Sequence, residues 1–543
     1  MRKAVLALAT MLLWAASCGA SPRLDEAARL VRAGQPAQAR GLLESEIRDN
    51  GVNAANAWPL LKLHAAGGRS EAAFQLLSQL FNDKQQWLPP SWLEKNEALA
   101  ALRSDARWAP MLDLARQREA RQARGYAAAA IETPFREELP LAERLAGVSR
   151  IWSEAKYNFA NFDLVPGLDW DALYLKTLEQ VQKTPRTQDY YRELQRLVAA
   201  LQDGHSNVYP PDELWDRSMA RPGLRTQLIE GRVLVTELLD PALAGAGFKR
   251  GQELLAIDGR PVHEYAREQV RPFVSASTPQ DLDVRQYGFD LLRGDSRQAL
   301  RVTLRDSDDA KPRLLLLPRL TTEAYRALPK APPFAWRMLP GDVALVELNG
   351  FDDDQAAEGY LKAFEQIRQA RAIVFDLRAN SGGNSSVGYR ILATLADKPV
   401  PTSRWWTRSH VAAWRAWGRP MPVEGGHHGE VRPDEQRQFR GPVRVLTGAA
   451  TYSAAEDFVA AFKSLGRGSV VGTATGGSTG QPLFFKLPGG GQARVCTKRD
   501  LLADGSEFIG KGLQPDQPVA TTVAAWRAGR DEVLDEALAQ LPR

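Results

Sequence analysis

Between residues 23 and 125 apolar side chains recur at helical spacing. Ala27, Ala28, Leu30 and Val31 share one face, and Ala39, Leu42 and Leu43 continue it, which predicts a helix-only region. Residues 126–140, with Gly125, Pro134 and Pro140 around them, read as a linker. From 141 to 201 the helical period returns. Leu145, Val148, Ile151 and Trp152 lie on one helix face, and Tyr190, Tyr191, Leu194, Leu197 and Val198 mark a second helix, which Gly204 is expected to stop. Residues 222–318 carry shorter apolar runs at 233–235 and 254–257, with Asp258-Gly259 as a turn, and predict short strands. From 335 to 530 strands alternate with helices. The runs 343–346, 372–375, 443–446 and 470–471 are strands, and 358–369 and 454–462 are helices. Apolar strands separated by amphipathic helices predict a mostly parallel sheet.

A chain of 543 residues exceeds one compact core and implies about three to four domains. With 44% hydrophobic and 25% charged residues, disorder is excluded as a reading of the whole chain. The net charge of +5 is spread over 70 basic and 65 acidic residues without a Lys/Arg run, so no nucleic-acid partner is expected. The first twenty residues differ. Arg2 and Lys3 precede an apolar run over 4–16 and then small residues, which reads as a secretory signal at 1–20 and places the protein in the periplasm or outer envelope of a bacterium. Two cleavage readings stay open. Ala15-Ala16-Ser17-Cys18 resembles a lipobox that would make Cys18 a lipid anchor, although it lacks the usual Leu; the alternative is ordinary cleavage after Ala20. The only other cysteine is Cys496, in an apolar strand-like stretch, and it reads as a buried, inert thiol. His427-His428, near Glu424 and Glu430, is poor zinc geometry, and no metal or cofactor is expected.

Within 23–125, Gly34/Gly68, Ala39/Ala73, Leu42/Leu76 and Leu43/Leu77 pair at one offset of 34 residues, the tetratricopeptide period. A short, degenerate TPR-like module and a plain helical bundle are equal readings of that segment. The stretch 246–259 resembles the middle of a PDZ domain, a module that binds peptide ends as an added strand.

The chemistry is carried by a few strings. In Thr451-Tyr452-Ser453-Ala454-Ala455-Glu456 a buried strand turns into a helix that Ser453 opens, which exposes its hydroxyl at a helix N-terminus. Ser453 and Glu456 also have the spacing of a capping box. Asp376-Leu377-Arg378-Ala379-Asn380-Ser381-Gly382-Gly383-Asn384 follows another strand, and its two glycines allow close backbone approach to a ligand. Further strings are Asp203-Gly204-His205-Ser206 and Gly505-Ser506-Glu507-Phe508-Ile509-Gly510-Lys511-Gly512-Leu513-Gln514-Pro515-Asp516.

Together these strings resemble the tail-specific, or C-terminal-processing, serine proteases, and their tricorn-like branch more closely, over roughly 141–520. The resemblance implies an α/β fold. A ClpP/crotonase-like protease core would span 335–530, with a helical first part at 141–215, a small β-rich PDZ-like domain at 222–318, and the all-helical module at 23–125. It implies a serine-type endopeptidase with Ser453 as nucleophile, and the N–H groups of Gly383 and Ala454 as oxyanion hole. Where the Ser–Lys branch carries its lysine, this chain has Ser478, so the base falls to His205, with an apparent pKa of roughly 6 to 7. Glu507 is implied as the relay to His205. Gly204 stands where the branch carries a serine, so Ser206, Asp203, Asp504 and Ser478 stay as relay candidates, and Lys511 is the rival base. The implied partners are protein or peptide substrates, unfolded or with free C-termini, and a homo-oligomer is a further expectation. A catalytically weak binding protein for peptides or lipophilic ligands, and an esterase, are the alternatives.

Overall fold

The structure, a computed structural model, describes residues 22–82, 89–126 and 128–542. The export segment read at 1–20, Cys18 included, lies outside the described residues. Two compact units divide at residue 129.

The first unit is helical: α1 (Pro22–Arg32), α2 (Pro36–Asn50), α3 (Ala54–Ala66), α4 (Ser70–Asn82) and, after shorter turns, α5 (Trp108–Tyr126). Positions 34 residues apart occupy like places. Gly34 and Gly68 precede α2 and α4 at positive φ, while Ala39, Ala73, Leu43 and Leu77 are buried in one core.

The second unit is built round a six-stranded sheet. Its strands are β7 (Phe334–Leu339), β8 (Val343–Leu348), β9 (Ala372–Asp376), β10 (Val443–Thr447), β11 (Gly468–Gly472) and β14 (Gln517–Pro518), side by side in that order. The five strands from β8 onward run parallel, and β7 is antiparallel at the edge. Alternation sorts the two faces. Ala344, Val346, Ile373, Phe375, Val443 and Val445 meet α9 (Gln355–Ile367), α10 (Ser385–Leu392) and α11 (Ala454–Leu465) on one side. Val343, Leu345, Val374 and Leu446 meet Val533, Ala537 and Leu541 of the C-terminal segment on the other. Both faces are covered, which is why these strands read as unbroken apolar runs.

Ahead of the sheet in sequence, α6 (Leu141–Asn158) and α7 (Thr187–Ala199) pack on a three-stranded antiparallel sheet of β1 (Asn207–Tyr209), β13 (Gln492–Cys496) and β12 (Pro482–Lys486). Between β1 and β7 lies an antiparallel sheet of β2 (Leu224–Ile229), β3 (Arg232–Leu238), β4 (Glu253–Ile257), β5 (Leu300–Arg305) and β6 (Arg313–Leu317). Its β4–β5 connection contains the short helix α8 (Pro279–Asp283). Asp258 and Gly259 both have positive φ, the geometry of a tight two-residue hairpin turn. The fold is α/β, as the strand and helix patterning implied.

Candidate active site

His205 sits between α7 and β1. The helix does not run to Gly204; it ends near Ala199, and Gln202 makes the left-handed turn with φ 48°. Gly204 serves close packing instead. A Cβ there would overlap Tyr452 Oη and come within 2.7 Å of Arg285 Nη2 and 2.8 Å of Asp281 Oδ2. The loop is braced from below. Asp203 Oδ1 accepts the His205 N–H at 2.9 Å and the Ser206 hydroxyl at 3.0 Å, and its Oδ2 accepts the Asn161 amide at 2.9 Å. Residues of the β4–β5 connection hold it from the side: the Ser275 hydroxyl accepts the Asp203 N–H and the Ser277 hydroxyl the Gly204 N–H.

Ser453 stands at the turn from β10 into α11, with φ 55° and ψ −125°. This is a strained backbone for a residue with a side chain, of the kind that active sites retain. Its N–H donates to Glu456 Oε2 at 3.1 Å and to the Ser478 carbonyl at 3.2 Å. Its hydroxyl lies 3.1 Å from His205 Nε2. The other ring nitrogen, Nδ1, lies 2.8 Å from Ser478 Oγ. Tyr452 stacks on the imidazole with centroids 5.1 Å apart. Burial, with Arg494 and Arg285 adding to it, pushes the His205 pKa down to about 3. Burial therefore favours the neutral ring, and the value lies below the roughly 6 to 7 expected from the sequence.

Glu456 joins the two halves of this arrangement. Its carboxylate accepts from Thr475 Oγ1 at 2.6 Å, Gly477 N at 2.8 Å and Ser478 N at 3.0 Å, besides Ser453 N. It is fully buried, and burial pushes its pKa up to about 7 against the four donors. Sequence spacing shows Glu456 as half of a capping box; only the fold shows that it also ties down the Ser478 loop.

The glycine pair approaches the same turn. A Cβ on Gly382 would come within 2.6 Å of Ser453 Cβ and 3.0 Å of Ala454 N, and one on Gly383 would overlap the Phe351 backbone. Both glycines have positive φ. Neither the Gly383 nor the Ala454 N–H has an acceptor among the described residues, which leaves two donors beside Ser453 for a developing oxyanion.

Glu507 is elsewhere. It is half-exposed and pairs with Arg499 at 3.2 Å. Arg499 is nearly fully buried and draws in Glu507, Asp163 and Asn161, because a desolvated guanidinium needs counter-charge and acceptors. Ser206 turns its hydroxyl to Asp203 and accepts the Cys496 N–H, and Asp203 touches His205 only at its backbone N–H. Asp504 holds Ser506, and Lys511 is exposed. Of the relay candidates, Ser478 alone meets the imidazole. Cys496 is buried, which raises its thiol pKa. His428 lies 2.8 Å from Asp500 Oδ1. No sequence signal pointed to Arg285 and Arg494, and none showed that Tyr452 of the serine string stacks on His205.

A strand-to-helix serine on a parallel sheet, facing a neutral imidazole with two free N–H groups beside it, has the architecture of an α/β serine peptidase. Residues 342–519 match peptidase family S41, and the chain thus carries a peptidase family S41 domain. Tricorn protease homolog 2 of Streptomyces coelicolor is 25% identical over 394 residues, which cover 68% of this chain and 30% of that protein. The chain thus spans about 30% of the length of that curated relative. Among solved structures, mature CPAF superposes with a TM-score of 0.58 at 15% identity, over 74% of this chain and 96% of CPAF. Mature CPAF complexed with lactacystin gives the same TM-score at 14% identity, over 74% and 97%. These agree with the tail-specific protease resemblance of the motifs and with its α/β fold.

Proposed function

We propose that the protein is an exported serine endopeptidase that hydrolyses peptide bonds in protein or peptide substrates. The observation that carries this reading is the line Ser453 Oγ, His205 Nε2, His205 Nδ1, Ser478 Oγ, with separations of 3.1 and 2.8 Å across the ring. His205 takes the Ser453 proton as Oγ attacks the scissile carbonyl carbon. The oxygen becomes an oxyanion and accepts from the N–H groups of Gly383 and Ala454. The imidazolium then gives its proton to the leaving amine, which departs as the carbonyl re-forms, and a water repeats the cycle on the acyl-enzyme. Ser478 Oγ accepts a hydrogen bond from Nδ1–H and fixes the ring's tautomer, the role a carboxylate fills in the Ser-His-Asp arrangement.

Substrates with free C-termini fit a PDZ-like reading of β2–β6, whose edge strand β6 exposes Leu314 and Leu316. The TPR-like reading of α1–α5 would make that module a docking surface for a partner or substrate. The signal read at 1–20 supports a periplasmic or lipid-anchored location, and self-association is part of the proposal. Incubation with unfolded casein and a peptide library, with and without Ser453→Ala, tests the central reading. The variant should lose hydrolysis by a factor on the order of 10³ or more. Undiminished cleavage by Ser453→Ala, or ester hydrolysis with no peptide cleavage by the parent protein, would overturn it.

A further inference from the structure

The residues immediately after His205 border a cavity of about 180 Å³, lined by Ser206 and β1 on one side and the β4–β5 connection on the other. Neither Ser453 nor His205 lines it. Three guanidiniums reach it: Arg285, Arg293 and Arg494. Two have carboxylate partners, Arg285 with Asp281 at 2.6 Å and Arg293 with Asp290 at 2.7 Å. Arg494 has none among the described residues; it donates to Asn207 Oδ1 at 2.7 Å and to the Gly204 carbonyl at 3.4 Å. The remaining nearby carboxylate, Asp203, is already committed to Asn161, Ser206 and the His205 N–H. One positive charge is left without a counter-ion in a recess.

A second observation points the same way. Arg293 Nε is buried and has no acceptor. A buried donor left unsatisfied is costly, and such groups in native structures call for a partner. Burial pushes the Arg293 pKa down to about 10 even with Asp290, itself part of the cavity wall, beside it. The rest of the wall is mixed: Val198, Phe273 and Phe289 are apolar, whereas Gln195, Asn207, Ser275 and Asp290 are polar. An acceptor-only, planar anion is the group that guanidiniums bind best, and Phe273 and Phe289 on one part of the wall offer a place for a hydrocarbon carrying it.

We propose that this cavity binds a carboxylate borne on a short apolar group, with the acid held by Arg293 and Arg494 and the apolar part against Phe273 and Phe289. The site is separate from the catalytic centre, and adjoins it through the strand that follows His205. The same chemistry is offered by a free apolar acid and by the end of a peptide chain with an apolar last residue.

Binding is measured calorimetrically on the full chain carrying Ser453→Ala, so that turnover does not interfere. The probes are 4-phenylbutyrate, its neutral amide, and two peptides ending in leucine, one with a free carboxylate and one amidated. The acid should bind about tenfold or more tightly than the amide, and Arg293→Gln should remove that preference. If the free-ended peptide also binds and competes with the acid, the natural ligand is a chain end. If only 4-phenylbutyrate binds, it is a small acid. Equal binding of acid and amide, absence of acid binding at millimolar concentration, or an Arg293→Gln variant that melts normally and keeps the preference would overturn the proposal. The acid-against-amide comparison on the parent sequence decides the matter even where Arg293→Gln fails to fold. Because hydrolysis is assayed separately, failure of this site leaves the peptidase reading standing.

Discussion

Ser478 is a hydroxyl at the position where a carboxylate would be expected, and it carries no charge with which to stabilise the imidazolium. Its contribution is orientation. Ser478→Ala should lower kcat by roughly 10- to 100-fold with KM little changed, because a loosened imidazole misplaces Nε2. Glu507→Gln should change kcat/KM by no more than about twofold, since Glu507 does not meet the imidazole and Arg499 keeps Asp163 as counter-charge. Steady-state kinetics of the two variants side by side check this; a Glu507→Gln loss as deep as that of Ser478→Ala would return the glutamate to the relay. His205 itself was legible as a residue, from its string and its place before the strand-rich insert, but its titration was not. Burial disfavours the charged form, so neutral His205 persists to low pH. The acid limb of kcat/KM should fall well below the ordinary imidazole value of about 6.5. A limb at 6 to 7 in a pH–rate profile would contradict the buried geometry.

The element that matters most is the turn between β10 and α11. The sequence shows a strand, a serine and a helix in order, and the structure has them so, with Glu456 one turn into the helix. Four donors converge on that carboxylate, two from the Ser478 loop backbone, one from Thr475 and one from Ser453. Glu456→Gln keeps the shape and replaces one acceptor oxygen by a donor, which faces other donors. A destabilisation of about 1–3 kcal/mol is expected, with lost activity, because both contacts of the imidazole are anchored there. Thermal melting and kcat together check it. Gly204 makes a comparable demand. Gly204→Ala forces a methyl against Tyr452, the residue stacked on His205, and should cost about 1–3 kcal/mol as overpacking, with the imidazole displaced. A variant that melts and turns over like the parent would refute the close packing.

At the scale of the molecule, the β4–β5 connection is tied to the catalytic loops. Besides Ser275 and Ser277, Thr278 Oγ1 donates to the Gly476 carbonyl, and Gln280 Nε2 donates to the Thr475 and Lys511 carbonyls, each at 2.9 Å. The insert therefore braces the His205 loop and the Ser478 loop. The two buried groups also set opposing pH dependences. The raised Glu456 stabilises the fold below about 4.5, and that stability is lost as pH rises through about 7. The depressed His205 acts the other way, and its stability is lost as pH falls from 6.5 toward about 3. Between these limits the slopes offset. Removing the carboxyl with Glu456→Gln should leave stability rising with pH across 4.5–6.5 more steeply than in the parent, read by melting temperature at stepped pH. An unchanged slope would mean that Glu456 is ionised throughout.

What the sequence determined by itself was everything that local patterning encodes. The buried parallel strands read as apolar runs because both faces are covered, the Ser453 turn as a strand-to-helix junction, and the glycine pair as a place of close approach. The 34-residue spacing in the helical unit shows in Gly34 and Gly68 and in the buried Ala39 and Ala73. The tertiary structure alone decided which side chains meet. Glu507 went to Arg499 because a buried guanidinium demands counter-charge, a demand invisible until the burial is known. Ser478 reached His205 across 273 residues through a loop pinned by Glu456. Gly204, read as a helix stop, proved to be a packing constraint from a tyrosine 248 positions away. Periodicity reports on the solvent a residue sees, and a one-dimensional pattern holds that information. Charge pairing, ring stacking and the titration of a buried imidazole depend on neighbours distant in sequence, and only the folded chain supplies them.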